Sequence, residues 1–182
     1  DIFSLTEFGG FLYAGTNNTN TGAEVWRTSD GANWTKANSD GFGVAANTNA
    51  YRLIEYDGYL YSGVSNSTGS QLLRTSDGTT WPLIDTGFGD PNNPGIFSAV
   101  EYRGELFMGT YNLPDGAEMW KTGDGANWSQ VNSNGFGSST NASVAAIEVI
   151  GDTLYLGLRN TGANISEVRV ENPPVVLFPA FR

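Results

Sequence analysis

Apolar residues in this chain fall into short runs and alternations, and none holds helical spacing beyond a single turn. Leu12-Tyr13-Ala14-Gly15, Leu60-Tyr61-Ser62-Gly63, Leu106-Phe107-Met108-Gly109 and Leu154-Tyr155-Leu156-Gly157 read as one strand written four times. A turn glycine precedes each, at Gly10, Gly58, Gly104 and Gly151. Ahead of the turns lie apolar runs: Ile2 to Leu5, Leu53-Ile54, Ile96 to Val100 and Val144 to Ile147. An apolar run, a glycine turn and an alternating run predict a tight antiparallel hairpin. The glycine inside the second strand marks a bulge or the close approach of another backbone. A third strand follows after a polar loop, ending in Val25-Trp26-Arg27, Leu72-Leu73-Arg74 and Met119-Trp120-Lys121. A fourth starts at Trp34 and at Trp128.

The unit repeats. Thr28-Ser29-Asp30-Gly31-Ala32-Asn33-Trp34 returns as Thr75 to Trp81 and as Thr122 to Trp128, each copy 47 residues after the last. Units closed by Gly41-Phe42-Gly43, Gly87-Phe88-Gly89 and Gly135-Phe136-Gly137 are expected over about 1–47, 48–94 and 95–141, with a fourth over 142–172. Four antiparallel strands in about 47 residues match one blade of a β-propeller, and helical solenoids of similar period are excluded by the missing helical pattern. The expected fold is all-β, with three full blades and an incomplete fourth. In the fourth, Glu171-Asn172 stand where Asp-Gly is expected, no Trp follows, and Pro173-Pro174 interrupt the run. The apolar segment 173–182 is expected to be a closing strand or a docking tail.

The seven-residue motif reads locally as a turn staple. Asp30, Asp77 and Asp124 accept turn N–H groups, and Thr28, Thr75 and Thr122 add a hydroxyl. Gly31, Gly78 and Gly125 take the left-handed conformation, and Trp34, Trp81 and Trp128 pack between sheets. These residues resemble the Asp-box, or BNR-type, repeat of β-propellers, with a superficial likeness to kelch repeats. Here the Asp directly precedes the Gly, one residue short of the usual box. The resemblance covers residues 1–172. It implies a structural role for the box and no activity, because that repeat recurs in sialidases, other glycoside hydrolases and non-catalytic secreted proteins.

Composition narrows the chemistry. The chain has 182 residues, net charge −10, nine Lys and Arg, and neither Cys nor His. Scattered cations exclude a phosphate-backbone interface, so no nucleic-acid partner is expected. The missing residue types remove thiolate nucleophiles, disulfides, zinc–thiolate sites and the commonest general base. No apolar stretch is long enough to span a membrane. The acidic, Asn/Thr-rich and Lys-poor composition points outside the cell or to its surface. The start at Asp1, without Met, suggests a processed chain or a piece of a longer one.

Other positions recur. Glu7, Glu55, Glu101 and Glu148 precede the first turn of each unit, and Arg27, Arg74, Lys121 and Arg169 end the third strand. These are expected to form repeated ion pairs within blades, or backbone caps. No cofactor is expected; a ring of those glutamates is the one arrangement that would suit Ca²⁺. Arg52, Arg103 and Arg159 are the candidates for a sialidase-like arginine cluster, although they occupy unlike repeat positions. Among the Asn-x-Ser/Thr sequons, Asn17 and Asn66 are read as exposed loop sites open to glycosylation. The leading functional expectation is a non-enzymatic extracellular structural or binding module. A glycan-binding lectin and part of a sialidase-like glycoside hydrolase are the alternatives. The expected partner is another copy, the rest of a longer chain, a glycan or a cell-surface protein.

Overall fold

The structure is a computed structural model that describes residues 1–162 in full and the backbone of Glu167–Glu171 and Leu177–Phe178. It divides into two compact units, Asp1–Ile96 and Phe97–Arg182.

The first unit holds two four-stranded antiparallel sheets. One runs β1 (Ile2–Phe8), β2 (Phe11–Thr16), β3 (Val25–Thr28) and β4 (Thr35–Lys36), in that order. The next repeats the order with β5 (Asn49–Tyr56), β6 (Tyr59–Ser65), β7 (Gln71–Thr75) and β8 (Leu83–Thr86). Both sheets carry a bulge at the same repeat position, between Ile2 and Ser4 and between Ala50 and Arg52. Tyr13, Val25 and Ala37 of the first sheet pack against Leu53, Leu60 and Leu73 of the second, with Phe42 and Trp81 at the margin. A Cβ on Gly15 would lie 2.5 Å from the Ala50 carbonyl oxygen, so only glycine lets the sheets approach this far.

The second unit repeats the plan with β9 (Gly95–Tyr102), β10 (Glu105–Tyr111), β11 (Met119–Thr122) and β12 (Ser129–Gln130). Its other sheet is β13 (Asn141–Ile150), β14 (Thr153–Asn160), β15 (Glu167–Glu171) and β16 (Leu177–Phe178). One bridge, Tyr111 to Ser143, joins the sheets. Phe107, Ala117 and Met119 pack on Ile147, Leu154 and Leu156. Gly109 repeats the role of Gly15: its Cβ would meet Val144 Cβ at 2.4 Å. At the C-terminal end, Leu177 and Phe178 pair with Arg169 and Val168 as an outer strand.

Each Gly-Phe-Gly forms a tight turn with the aromatic residue itself left-handed, at φ 57° for Phe42, 53° for Phe88 and 55° for Phe136. That conformation is costly for a bulky residue and must be held from outside. The N–H of Phe42 donates to Ser39 O at 2.8 Å, and that of Phe136 to Ser133 O at 2.7 Å. In the second blade the Asp85 carboxylate takes this place, accepting from Phe88 N–H at 2.6 Å.

Candidate functional site: a cleft beside the second turn staple

The Thr-x-Asp-Gly turn closes on itself. Asp30 Oδ1 accepts the backbone N–H groups of Ala32 and Asn33, both at 2.8 Å, and Thr28 Oγ1 donates to it at 2.9 Å. The Asn33 side-chain amide donates to Asp30 Oδ2 at 2.7 Å. Asp124 repeats this arrangement with Ala126, Asn127 and Thr122. Asp77 accepts from Thr79 and Thr80 N–H at 2.7 Å each and from Thr75 Oγ1 at 2.9 Å. These bonds hold all three carboxyls well below the usual aspartate range, the N–H of Asn33, Thr80 and Asn127 contributing most to each.

In the first three blades the third-strand base lies beside two rings or a carboxylate of β2, β6 or β10. Arg27 stacks over Phe11 at 4.7 Å and donates to Tyr13 Oη at 3.2 Å. Arg74 stacks over Tyr59 at 4.4 Å and donates to Tyr61 Oη at 3.2 Å. Burial raises the Tyr61 phenol, and Arg74 partly offsets it. Lys121 pairs with Glu105 at 2.9 Å.

Next to the Arg74–Tyr59 stack is a cleft of about 360 Å³, lined also by Ser76, Asp77, Thr80, Pro82 and Ile84. It brings a guanidinium, two hydroxyls and a carboxylate to a patch floored by a ring, a proline and an isoleucine. Such mixed lining suits a small polar ligand with one apolar side.

Several sequence expectations are corrected. Glu7 stands opposite Leu12, whereas Arg27 stands opposite Tyr13, so the pleat puts them on opposite faces. Glu55 and Arg74 differ in the same way, opposite Leu60 and Tyr61. Glu7 and Glu55 instead accept the turn N–H groups of Gly10 at 3.1 Å and Gly58 at 3.2 Å, as backbone caps. Lys121 takes Glu105 rather than Glu101. The Glu148–Arg169 pair lies outside the described side chains. Asn66 is buried, not an exposed sequon: its amide donates to Asn47 Oδ1 at 2.8 Å and its oxygen accepts Thr68 N–H. The Asn17 amide is likewise engaged, with Asn49 Oδ1. Arg103 stands at the turn end of the second unit, donating to the Asp152 carbonyl, while Arg159 lies six residues beyond Thr153, about 20 Å along β14. These two arginines are not brought together. Among the described residues no three acidic side chains gather as a metal site would require.

Buried asparagines were missed by the sequence reading. Asn47, Asn93 and Asn141 each follow the first glycine of Gly-Phe-Gly by six residues and donate their amides to its carbonyl, at 2.8, 2.9 and 3.0 Å. Asn160 then donates to Asn141 across the β13–β14 hairpin, and Asn66, just after β6, donates to Asn47, just before β5, at the same end of its own hairpin. The fixed six-residue spacing was the available signal, hidden in a chain where Asn is common.

The architecture has relatives. A family model described as the DUF6242 beta propeller domain matches residues 28–180. The chain belongs to this family. No curated protein matches this chain in sequence. Among solved structures, Bacteroides ovatus xyloglucan PUL GH43B superposes with TM-score 0.60 at 15% identity, over 98% of this chain and 40% of its own. A nidogen/laminin complex chain gives TM-score 0.65 at 15% identity, over 94% of this chain and 60% of its own. The Hadza microbial sialidase Hz136 gives TM-score 0.65 at 16% identity, over 98% and 46%. The DUF6242 propeller thus spans about half the length of these three, and at such identities they establish its fold alone. No helix among its described residues is long and apolar enough to cross a membrane.

Proposed function

We propose that this propeller is a non-enzymatic binding module that works outside the cell, with the Arg74–Tyr59 cleft receiving a polar ligand, a glycan in the first instance. One observation carries the reading. The thrice-repeated carboxylates are engaged in closing their own turns and held ionised by those bonds. A general acid/base works best with a pKa near the operating pH, and these are displaced away from it. The cleft, in contrast, offers Arg74, Ser76 and Thr80 beside Tyr59, Pro82 and Ile84. Hydroxyl-rich sugars with one apolar face match this mixture. Several solved propellers of similar fold are carbohydrate-active enzymes by name, which makes glycans the class to try first. The acidic, Asn/Thr-rich and Lys-poor composition supports an extracellular setting.

A glycan array with the native chain and with Arg74→Ala tests this. Binding that Arg74→Ala abolishes at an unchanged melting temperature supports the reading. Native binding unaffected by Arg74→Ala, or no glycan binding at all, removes the cleft assignment. Release of reducing sugar by the native chain from any bound glycan overturns the non-enzymatic reading.

A further inference from the structure

The cleft beside Arg74 lies where the second blade departs from the first and the third. Ala32-Asn33 and Ala126-Asn127 close the staples of those two blades, and Thr35 and Ser129 follow their tryptophans. The second blade has Thr79-Thr80 and Pro82 at these places, and Tyr59 where the others have Phe11 and Glu105. Tyr59, Thr80 and Pro82 all line the one cleft. Both sets of residues close the same turn, so folding alone does not account for the departures.

The exchange of Asn for Thr changes the staple carboxylate. In the first and third blades the Asn33 and Asn127 amides donate to Oδ2 of Asp30 and Asp124, each at 2.7 Å. In the second blade the donors gather on Asp77 Oδ1: the N–H groups of Thr79 and Thr80, and the hydroxyls of Thr75 and Thr79. Thr80 brings a hydroxyl to this carboxyl where the other staples bring an amide. An amide N–H₂ only donates, whereas a hydroxyl donates and accepts and can rotate towards a newcomer. Asp77 Oδ2 therefore keeps more acceptor capacity than Oδ2 of Asp30 or Asp124.

Arg74 supplies the complementary donor. Its guanidinium is fixed over Tyr59 at 4.4 Å and by Tyr61 Oη at 3.2 Å, and it lines the same cleft as Asp77. A guanidinium and a carboxylate in one small cleft match adjacent sugar hydroxyls, one accepting from Arg74 and one donating to Asp77. Pro82 and Ile84 offer apolar contact to the C–H face of the ring.

Charge decides between neutral and acidic sugars. Asp77 lies in the cleft and the Asp57 charge reaches the Tyr61 phenol, so two carboxylates act around one guanidinium. The chain as a whole carries −10. A ligand carboxylate would meet a like charge at Asp77 and be repelled by the chain during approach.

We infer that the cleft takes a neutral sugar, whose adjacent hydroxyls are read as a pair by Asp77 Oδ2 and Arg74, a step that rests on the cleft being a glycan site. Asp77 closes its turn with one oxygen and presents the other, and Thr80 is the exchange that leaves it open.

Calorimetric titration of the 182-residue chain tests this, with neutral cello-, manno- and galacto-oligosaccharides as one set of probes and sialyllactose and oligogalacturonate as the other. The native chain is expected to bind a member of the first set and neither of the second. Thr80→Asn restores the residue found in the other two staples, so it is expected to fold as they do while its amide covers Asp77 Oδ2. It should weaken the neutral sugar about tenfold or more at an unchanged melting temperature, as loss of a hydrogen bond to a charged group does. Asp77→Asn keeps an oxygen for the turn, makes the other position a donor, and should bring a similar loss. Asn33→Thr uncaps the first staple, away from the cleft, and should leave binding as it is. Binding that Arg74→Ala abolishes but that Thr80→Asn or Asp77→Asn leaves within about twofold overturns the inference while the cleft remains a glycan site. Binding of either acidic probe through Arg74 does the same. No binding of any probe, or binding indifferent to Arg74→Ala, removes the glycan site itself and this inference with it.

Discussion

Trp81 donates its indole N–H to the carbonyl of Ala37 at 2.9 Å, crossing from the second sheet to the first. The Phe42 ring meets it edge-on, with centroids 5.4 Å apart. The staple tryptophan therefore does two separable things: it fills the margin of the core and it satisfies a carbonyl of the outer strand.

Those roles can be measured apart. Trp81→Phe keeps most of the ring and loses the bond, and is expected to cost about 1 kcal/mol. Trp81→Ala loses both and is expected to cost about 3 kcal/mol, since large aromatic truncations fall near that value. Urea denaturation of the two variants gives the comparison. Equal losses would mean that the ring contributes nothing beyond its hydrogen bond.

The staple carboxylates predict a dependence on pH. Each is held below its ordinary value when folded, by N–H donors of Asn33, Thr80 and Asn127 first. At acid pH the unfolded chain then binds more protons than the folded one, so stability rises with pH there. The contribution is complete above the ordinary aspartate pKa of about 4 and is lost as pH falls below it. The urea midpoint of the native chain should drop steeply between about pH 4 and 2. The variant with Asp30, Asp77 and Asp124 all changed to Asn keeps an acceptor oxygen but loses the titration. Its midpoint should be lower at pH 7 and its acid slope shallower. An unchanged slope would place acid lability in other carboxylates.

Much of the scaffold was legible because its signals are local. Glycine turns, alternating Leu-aromatic strands and the Asp-Gly staple each fix a few consecutive residues, and repetition at one spacing multiplied the evidence. The partners of Arg27 and Arg74 were not legible in the same way. A charge two strands away from another suggests an ion pair, but the pleat decides which face each reaches, and one residue of register reverses it. Asn66 failed for a different reason: an Asn-x-Ser/Thr triplet in a polar loop carries no sign that its amide points inward to Asn47. The cleft beside Arg74 draws on β6, β7 and the residues after the staple, and its shape depends on tertiary packing that no short motif records.

The buried amide of Asn66 sets up a test of that correction. Asn66→Ala removes the donor to Asn47 Oδ1 and the acceptor of Thr68 N–H, leaving buried polar atoms unmatched. A cost of about 1–3 kcal/mol is expected. When the chain is secreted from a glycosylating host, the intact mass of Asn66→Ala should differ from the native mass by the substitution alone. Loss of a glycan-sized mass at this position would show that the amide is accessible during folding.

Gly31 and Gly78 occupy the same place in successive staples, at φ 76° and 75°, yet their surroundings differ. Nothing lies within 4 Å of a Cβ at Gly31, whereas a Cβ at Gly78 would fall 1.9 Å from Tyr13 Oη. Gly31→Ala should therefore carry only the left-handed penalty, about 1–2 kcal/mol. Gly78→Ala adds displacement of a buried tyrosine that anchors the first sheet, and its cost should exceed that of Gly31→Ala by about 1–3 kcal/mol. Tyr13→Phe removes the obstructing oxygen. In that background the excess should shrink, and a double-mutant cycle reads the change directly as coupling between Tyr13 and Gly78. The same cycle between Tyr13 and Gly31 should give no coupling. Equal costs for the two glycine variants would mean that the second staple does not rest on Tyr13 in solution, and the packing of the first two sheets would have to be redrawn there.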